Sequence, residues 1–292
     1  MPQKLYVDSK YLIPWDQEWK IAEAQTISEE AQDTKQERKN LKEILKGMKE
    51  LQSRLYAENR QALLIVFQAM DAAGKDGTIN AVFSGLNPQG CRVNSFKRPT
   101  SLELDHDYLW RIHQQTPQKG WIQIFNRSHY EEVLISSVFP NILDAQKLPK
   151  RSLEEEFAQR FSQIRQFESL LSQTGTRVIK FWLNVSKEEQ KNRLLSRTQE
   201  PAKFWKHESG DLVMRSKWGD FMNAYQNCLV ETSRSHAPWY AIPADNKPFA
   251  RRRIADIIHR TLLDMNPQYP EVTADDLNAI EQDRKTLLQK DT

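Results

Sequence analysis

Cysteine is almost missing: Cys91 and Cys228 are the only two in 292 residues. That is too few for a disulfide scaffold, and no CxxC pair occurs, so both read as reduced thiols of a cytoplasmic protein. Long apolar runs are missing too. The longest, Ala62 to Phe67, falls far short of the roughly 20 residues that cross a bilayer, so no membrane partner is expected. The opening MPQKLYVDSK has no apolar signal region, and export is not expected. The six histidines, at 106, 113, 129, 207, 236 and 259, include no HxxxH, which argues against a zinc site. There is no excess of one charge. Lys plus Arg is 42 and Asp plus Glu 39, and a net charge of +3 demands no nucleic-acid partner.

An apolar fraction of 39% beside 28% charged residues suits a soluble globular chain with a sizeable core. Residues 1 to 27 show no clear periodicity, but Tyr6, Tyr11, Trp15 and Trp19 look like anchors of an arm laid on that core. From Ile27 to Ala57 the reading is one long helix. Leu41, Ile44, Leu45, Met48, Leu51 and Leu55 recur at three- and four-residue spacing along it. At Gln61 the period changes. QALLIVFQAM reads as a buried parallel strand, and CRVNSF (91–96), WIQIFN (121–126), TRVIKFWLNV (176–185) and WYAIPA (239–244) read as further strands. Segments 101–115, 153–173 and 187–197 lie between them and are long enough for helices. Strands alternating with helices predict an α/β fold with a mostly parallel five-stranded sheet. The expected organisation is an arm and helix over 1–60, a main domain over 61–265 and a polar helical tail over 266–292.

Directly after the first strand comes Ala69-Met70-Asp71-Ala72-Ala73-Gly74-Lys75-Asp76-Gly77-Thr78. A standard phosphate loop reads GxxxxGK[ST]. Gly74-Lys75 is in place, whereas Ala69 replaces the first glycine and Asp76 the hydroxyl residue. The context nevertheless fits: a buried strand, a turn of small residues, then a helix opened by Ile79, Val82 and Phe83. Ala72, Ala73, Gly74 and Gly77 would let backbone N–H groups approach phosphate oxygens, with the helix N-terminus adding its dipole. Lys75 would reach the transferred phosphate. Carboxylates beside phosphate need a cation between them, so Asp71 reads as a Mg²⁺ ligand, with the Thr78 hydroxyl nearby.

A second loop, Asn126-Arg127-Ser128-His129-Tyr130-Glu131, follows the WIQIFN strand. Asn126 offers a neutral ligand, Arg127 a bidentate phosphate clamp, and Glu131 added acidity. A third region begins at Arg193 and Arg197, four apart on one helix face. From Arg193 to Arg260 there are 12 Lys and Arg against 7 Asp and Glu, an excess of +5 hidden by the near-neutral total. Phe204, Trp205, Trp218, Phe221 and Tyr225 interleave with these charges. Beside a phosphate loop this segment reads as a helical lid, over about 197–236, that closes on phosphates and excludes water.

Across nearly its whole length the chain resembles the polyphosphate kinase 2 family. The stretches that carry this are FQAMDAAGKDGTI, VFSGLNPQG, SFKRPT, HDYLWRIH, FNRSHYEEVL, the segment around Arg193 and Arg197, and APWYAIPADNK. The resemblance is to the class III branch. It implies a P-loop kinase fold with a helical lid, related to thymidylate kinases. It also implies Mg²⁺-dependent phosphoryl transfer between inorganic polyphosphate and nucleotides, AMP giving ADP and ADP giving ATP, in a homodimer or homotetramer. Asp71, Lys75, Arg127, Arg193 and Arg197 match the family's catalytic positions. Asn126 and Glu131 differ from the aspartate and asparagine of the diphosphate-preferring branch, which supports AMP as an acceptor. Lys97, Arg98, Lys203, Lys206, Arg251, Arg252 and Arg253 are candidates for a polyphosphate channel. The competing readings are an ATP-dependent nucleoside monophosphate kinase and a non-catalytic polyanion- or RNA-binding protein, which would bind nucleic acid in a salt-sensitive way without turnover.

Overall fold

The apolar block after Gln61 becomes the central strand of the sheet. The structure is a computed structural model and describes residues 4–290. Within them five strands, β1 (Ala62–Gln68), β2 (Cys91–Ser95), β3 (Ile122–Asn126), β4 (Thr176–Asn184) and β5 (Trp239–Pro243), lie in the order β2-β3-β1-β4-β5. Every neighbouring pair is parallel. All residues of β1, β4 and β5 are buried. Strands covered on both faces read as apolar runs, unbroken in β1 but for its last residue and throughout β5, and interrupted in β4 by Arg177 and Lys180. β2 is the open edge, with Arg92, Val93 and Ser95 exposed.

Two groups of helices flank the sheet. In one, α1 (Thr34–Glu58) lies along α10 (Lys247–Met265), which also meets α2 (Lys75–Phe83). In the other, α5 (Glu131–Val138) packs on α6 (Leu153–Gln173) and α9 (Trp218–Thr232). Between β4 and α9 come α7 (Lys187–Gln199) and α8 (Gly210–Ser216). Ser152 and Glu155 form a reciprocal capping box that starts α6 where its acidic first turn favours the helix dipole. The last helix, α11 (Ala274–Lys290), is exposed, including Leu277, Ile280, Leu287 and Leu288.

Two expectations change. The long helix starts at Thr34, not Ile27. Asp33 accepts from the amides of Lys35 and Gln36 at 2.9 and 3.0 Å and so caps it there. The periodic stripe itself begins only at Leu41, so nothing apolar carried the helix further back. Segment 101–115 is not one helix but two single turns, α3 (Ser101–Leu104) and α4 (Trp110–His113). A capping box at Thr100 and Glu103 starts the first turn, and Asp107 accepts from the Leu109 amide at 2.9 Å between the two. Short polar side chains at 105–107 compete with the helical backbone bonds.

The segment before α1 lies antiparallel along β5. Ile13 N–H donates to Trp239 O at 2.9 Å, and Ala241 N–H donates to Tyr11 O at 2.8 Å. This covers a sheet edge that would otherwise present unpaired backbone groups. Tyr11 is buried, and Trp19 meets Trp182 edge-on at 6.5 Å.

Candidate active site

Because Phe67 and Asn126 are register partners, the loops that follow β1 and β3 leave the sheet side by side. In a parallel sheet, ligands bind at the carboxyl ends of strands where the winding direction reverses, and β1 is such a point here. In the first loop Ala73 N–H closes a turn on Met70 O at 3.2 Å. Gly74 then takes φ +100° and opens α2. An L side chain is strained at that φ, so the glycine is required. Ala72, at φ +59°, is left-handed without being glycine, a strained state that the surroundings must enforce.

They do so through the loop's carbonyls. The Arg193 guanidinium donates to Ala73 O at 2.6 Å and Ala72 O at 3.3 Å, and also to Ala244 O at 2.7 Å and Asp245 O at 3.0 Å. Gln190 Nε2 donates to Asp71 O at 3.0 Å. Lys75 Nζ donates to Ala69 O at 2.9 Å. Turning carbonyls back into the protein leaves a loop's N–H groups for an anion.

The second loop brings a clamp. Arg127 also sits in the left-handed region, at φ +62°. Its guanidinium donates to Asp71 Oδ1 at 3.0 Å and lies 4.0 Å from Glu131 Oε2. Burial alone would weaken Arg127 as a base, but Glu131 and Asp71 more than offset this and raise its pKa. Burial pushes the Glu131 carboxyl up despite Arg127 and Lys75 nearby. Burial likewise lowers the Lys75 ammonium, opposed mainly by Asp71. Asn126 Nδ2 donates to Asp76 Oδ1 at 2.7 Å, which joins the two loops a second time. Ala69, Met70, Asp71, Arg127 and Glu131 thus line one cleft, whose apolar wall is Leu134 and Ile135 of α5, Met214 of α8, and Phe221 and Tyr225 of α9.

The structure therefore assembles Asp71, Lys75, Asp76, Asn126, Arg127 and Glu131, with Ala73, Gly74, Gly77 and the buried Thr78 forming the loop and the start of α2. Arg193 is 7% exposed and braces the loop from within rather than reaching out from a lid. Arg197 donates to Asp211 Oδ2 at 2.7 Å and Lys206 O at 3.1 Å, tying α7 to α8 and to the segment before it. Arg251 sits beside Gly77, where an added Cβ would lie 3.1 Å from Nη2. Lys97 and Arg98 are exposed after β2, and Lys206 is exposed against the Trp205 ring. Lys203 is paired with Glu200 at 2.6 Å. Arg252 is ion-paired at 2.5 Å with Glu37, which is fully buried. Arg253 pairs with Glu30 at 2.5 Å.

Sequence reading missed Gln190, Met214, Asp211 and Lys247. The spacing of Gln190, Arg193 and Arg197 was a usable signal, since all three share one helix face. Burial lowers the Lys247 ammonium, and so do Arg193, Arg251 and Lys203, which marks a run of cations beside the loop. No group of three or more His, Cys, Asp or Glu among the described residues could cage a metal ion. Mg²⁺ needs no such cage, because it is commonly held by one or two carboxylates together with substrate phosphates and water.

A parallel sheet with this strand order, a Gly-Lys loop opening α2 and an arginine clamp after the neighbouring strand define a P-loop kinase fold. Residues 30–270 match the family model described as polyphosphate kinase 2. The chain belongs to the polyphosphate kinase 2 family, which makes it a phosphotransferase. It is 48% identical over 241 residues to an ADP-polyphosphate phosphotransferase of Rhodopseudomonas palustris, covering 82% of this chain and 83% of that one. It is 47% identical over 221 residues to an AMP/ADP-polyphosphate phosphotransferase of Meiothermus ruber, covering 76% and 79%. Its fold superposes on the crystal structure of polyphosphate kinase 2 from Arthrobacter aurescens TC1 with a TM-score of 0.83, 33% identity and 95% coverage of each chain.

Proposed function

We propose that this chain transfers the terminal phosphoryl group between inorganic polyphosphate and adenine nucleotides, phosphorylating AMP to ADP and ADP to ATP. The observation that carries the reading is the juxtaposition of Asp71, Lys75, Arg127 and Glu131 at the end of β1. In-line transfer between two phosphates needs no strong base, because the attacking oxygen is already anionic. The difficulty is repulsion: two like unit charges 4 Å apart oppose each other by about 4 kcal/mol at an effective dielectric near 20. Lys75 and Arg127 would offset it and stabilise charge in the transition state. Arg193 would keep the loop in shape, and Arg197 would hold the α7–α8 segment over the cleft. Asp71, with Asp76 close by, would hold Mg²⁺, which when bound polarises phosphoryl oxygens. Glu131 would bias acceptor choice toward AMP. Lys97, Arg98, Lys203, Lys206, Lys247 and Arg251 would track the phosphate chain. A cytoplasmic homodimer or homotetramer belongs to the same reading and is supported by the family resemblance.

The test is a matrix of polyphosphate or ATP as donor with AMP or ADP as acceptor, with and without Mg²⁺. Transfer from polyphosphate to both acceptors is expected. Transfer to AMP from ATP alone would overturn the reading in favour of a nucleoside monophosphate kinase.

A further inference from the structure

Directly behind the Arg127 loop lies a buried polar cluster that the chemistry above does not use. Lys180, in the middle of β4, is fully buried, and its three ammonium protons have three partners. These are Glu168 Oε2 of α6 at 2.5 Å, the Tyr130 hydroxyl at 2.8 Å and Thr232 O, the last carbonyl of α9, at 2.9 Å. Tyr130 in turn donates its hydroxyl proton to Glu168 Oε1 at 2.7 Å. His129 is also fully buried, with Nε2 3.6 Å from the same carboxylate oxygen.

A buried ion pair contributes little net stability, since desolvation of both charges cancels much of their attraction. This one has a location that gives it another use. Tyr130 lies between Arg127 and Glu131, and Ser128, His129 and Tyr130 are all wholly buried. Arg127 stands in a strained backbone state immediately before them. Something must hold that state against relaxation, and these buried side chains are the fixed points. Thr232 ends the helix that places Phe221 and Tyr225 on the cleft wall.

We propose that Lys180, Glu168 and Tyr130 are positioning residues: one buried clamp that sets Arg127 and Glu131 in the cleft and ties their loop to the end of α9. The clamp acts through backbone placement and touches no substrate. For turnover the inference rests on the phosphotransfer reading, while its structural half stands apart from it.

Two variants test it. Tyr130→Phe removes one hydroxyl. The triple variant Lys180→Met, Glu168→Leu, Tyr130→Phe replaces the cluster by apolar groups of similar size, leaving neither charge unpaired. Amide hydrogen exchange and steady-state kinetics are measured on each with wild type alongside. The clamp predicts faster exchange confined to residues 126–132 and the end of α9. It also predicts that kcat falls about tenfold or more while both KM values stay within about twofold, as misplacement of a catalytic group does. Exchange that is unchanged, or that rises equally throughout β4 and α6, overturns the clamp. If the triple variant does not fold, Tyr130→Phe decides by the same two readouts. A wild type without phosphotransferase activity would sink the proposed function, and exchange alone would then judge the clamp.

Discussion

Lys75 donates to Ala69 O at 2.9 Å, so its ammonium is held by the loop carbonyl six residues back. Under the proposed function, exchanging that carbonyl for phosphate would cost little, since one hydrogen bond contributes about 1 kcal/mol net. Lys75→Ala is therefore expected to stay folded and to lose about 100- to 1000-fold in kcat, the scale of removing one transition-state charge partner; circular dichroism and a coupled ATP assay check both halves. Glu131 supplies a second case. Burial raises its carboxyl pKa from 4.5, so the folded state holds that proton more tightly than the unfolded chain does. Its stabilising contribution is present below the unfolded value and is lost as pH rises through the folded one. Glu131→Gln should thus melt higher than wild type at pH 7 to 8, with the gap closing as pH falls toward 4.5. A gap that widens in acid would mean that Arg127 outweighs burial. Glu131→Asn should lower AMP turnover more than ADP turnover, and equal losses would remove Glu131 as the discriminator.

Among the elements, α7 does two jobs with one face. Its Glu189 accepts from Arg193 Nε at 2.7 Å and fixes the plane of the guanidinium. The fork then reaches the phosphate loop on one branch and the end of β5 on the other. Lysine has one ammonium and no fork, so it cannot reproduce this. Arg193→Lys is expected to lose about 3 kcal/mol of stability, as when a buried charged group is left with unpaired partners. Urea unfolding would show it, and activity should fall with it. The period of α7 made the shared face of Arg193 and Arg197 legible from sequence, and Gln190 on the same face went unread. The direction of that face was not legible, because it depends on β4 and β5 being neighbours.

On the scale of the whole molecule, a net charge of +3 hides cations gathered beside the phosphate loop. Binding only to the folded state stabilises by about 2.7 kcal/mol at 100 times the dissociation constant. Polyphosphate should raise the melting temperature, and the rise should shrink as added salt screens exposed cations. A shift that ignores salt would place the chain on buried contacts instead. The family match over residues 30–270 and a TM-score of 0.83 over 95% of the chain show that the likeness extends over the whole fold, not over the phosphate loop alone.

The parallel strands, the phosphate loop and the Arg127 loop are all legible along the chain. Each is a local signal: short blocks rich in apolar and β-branched residues suit strands, and small residues before Gly-Lys suit a turn into a helix. Which residues meet emerges only from the folded arrangement. Glu37 and Arg252 are 215 positions apart, Arg193 and Ala73 120, and Lys180 and Tyr130 50. Strand order sets these meetings, and the free energy that selects strand order is summed over the whole core. For that reason the charges that line the cleft and the charges that brace the loop look alike along the chain and separate only once it is folded.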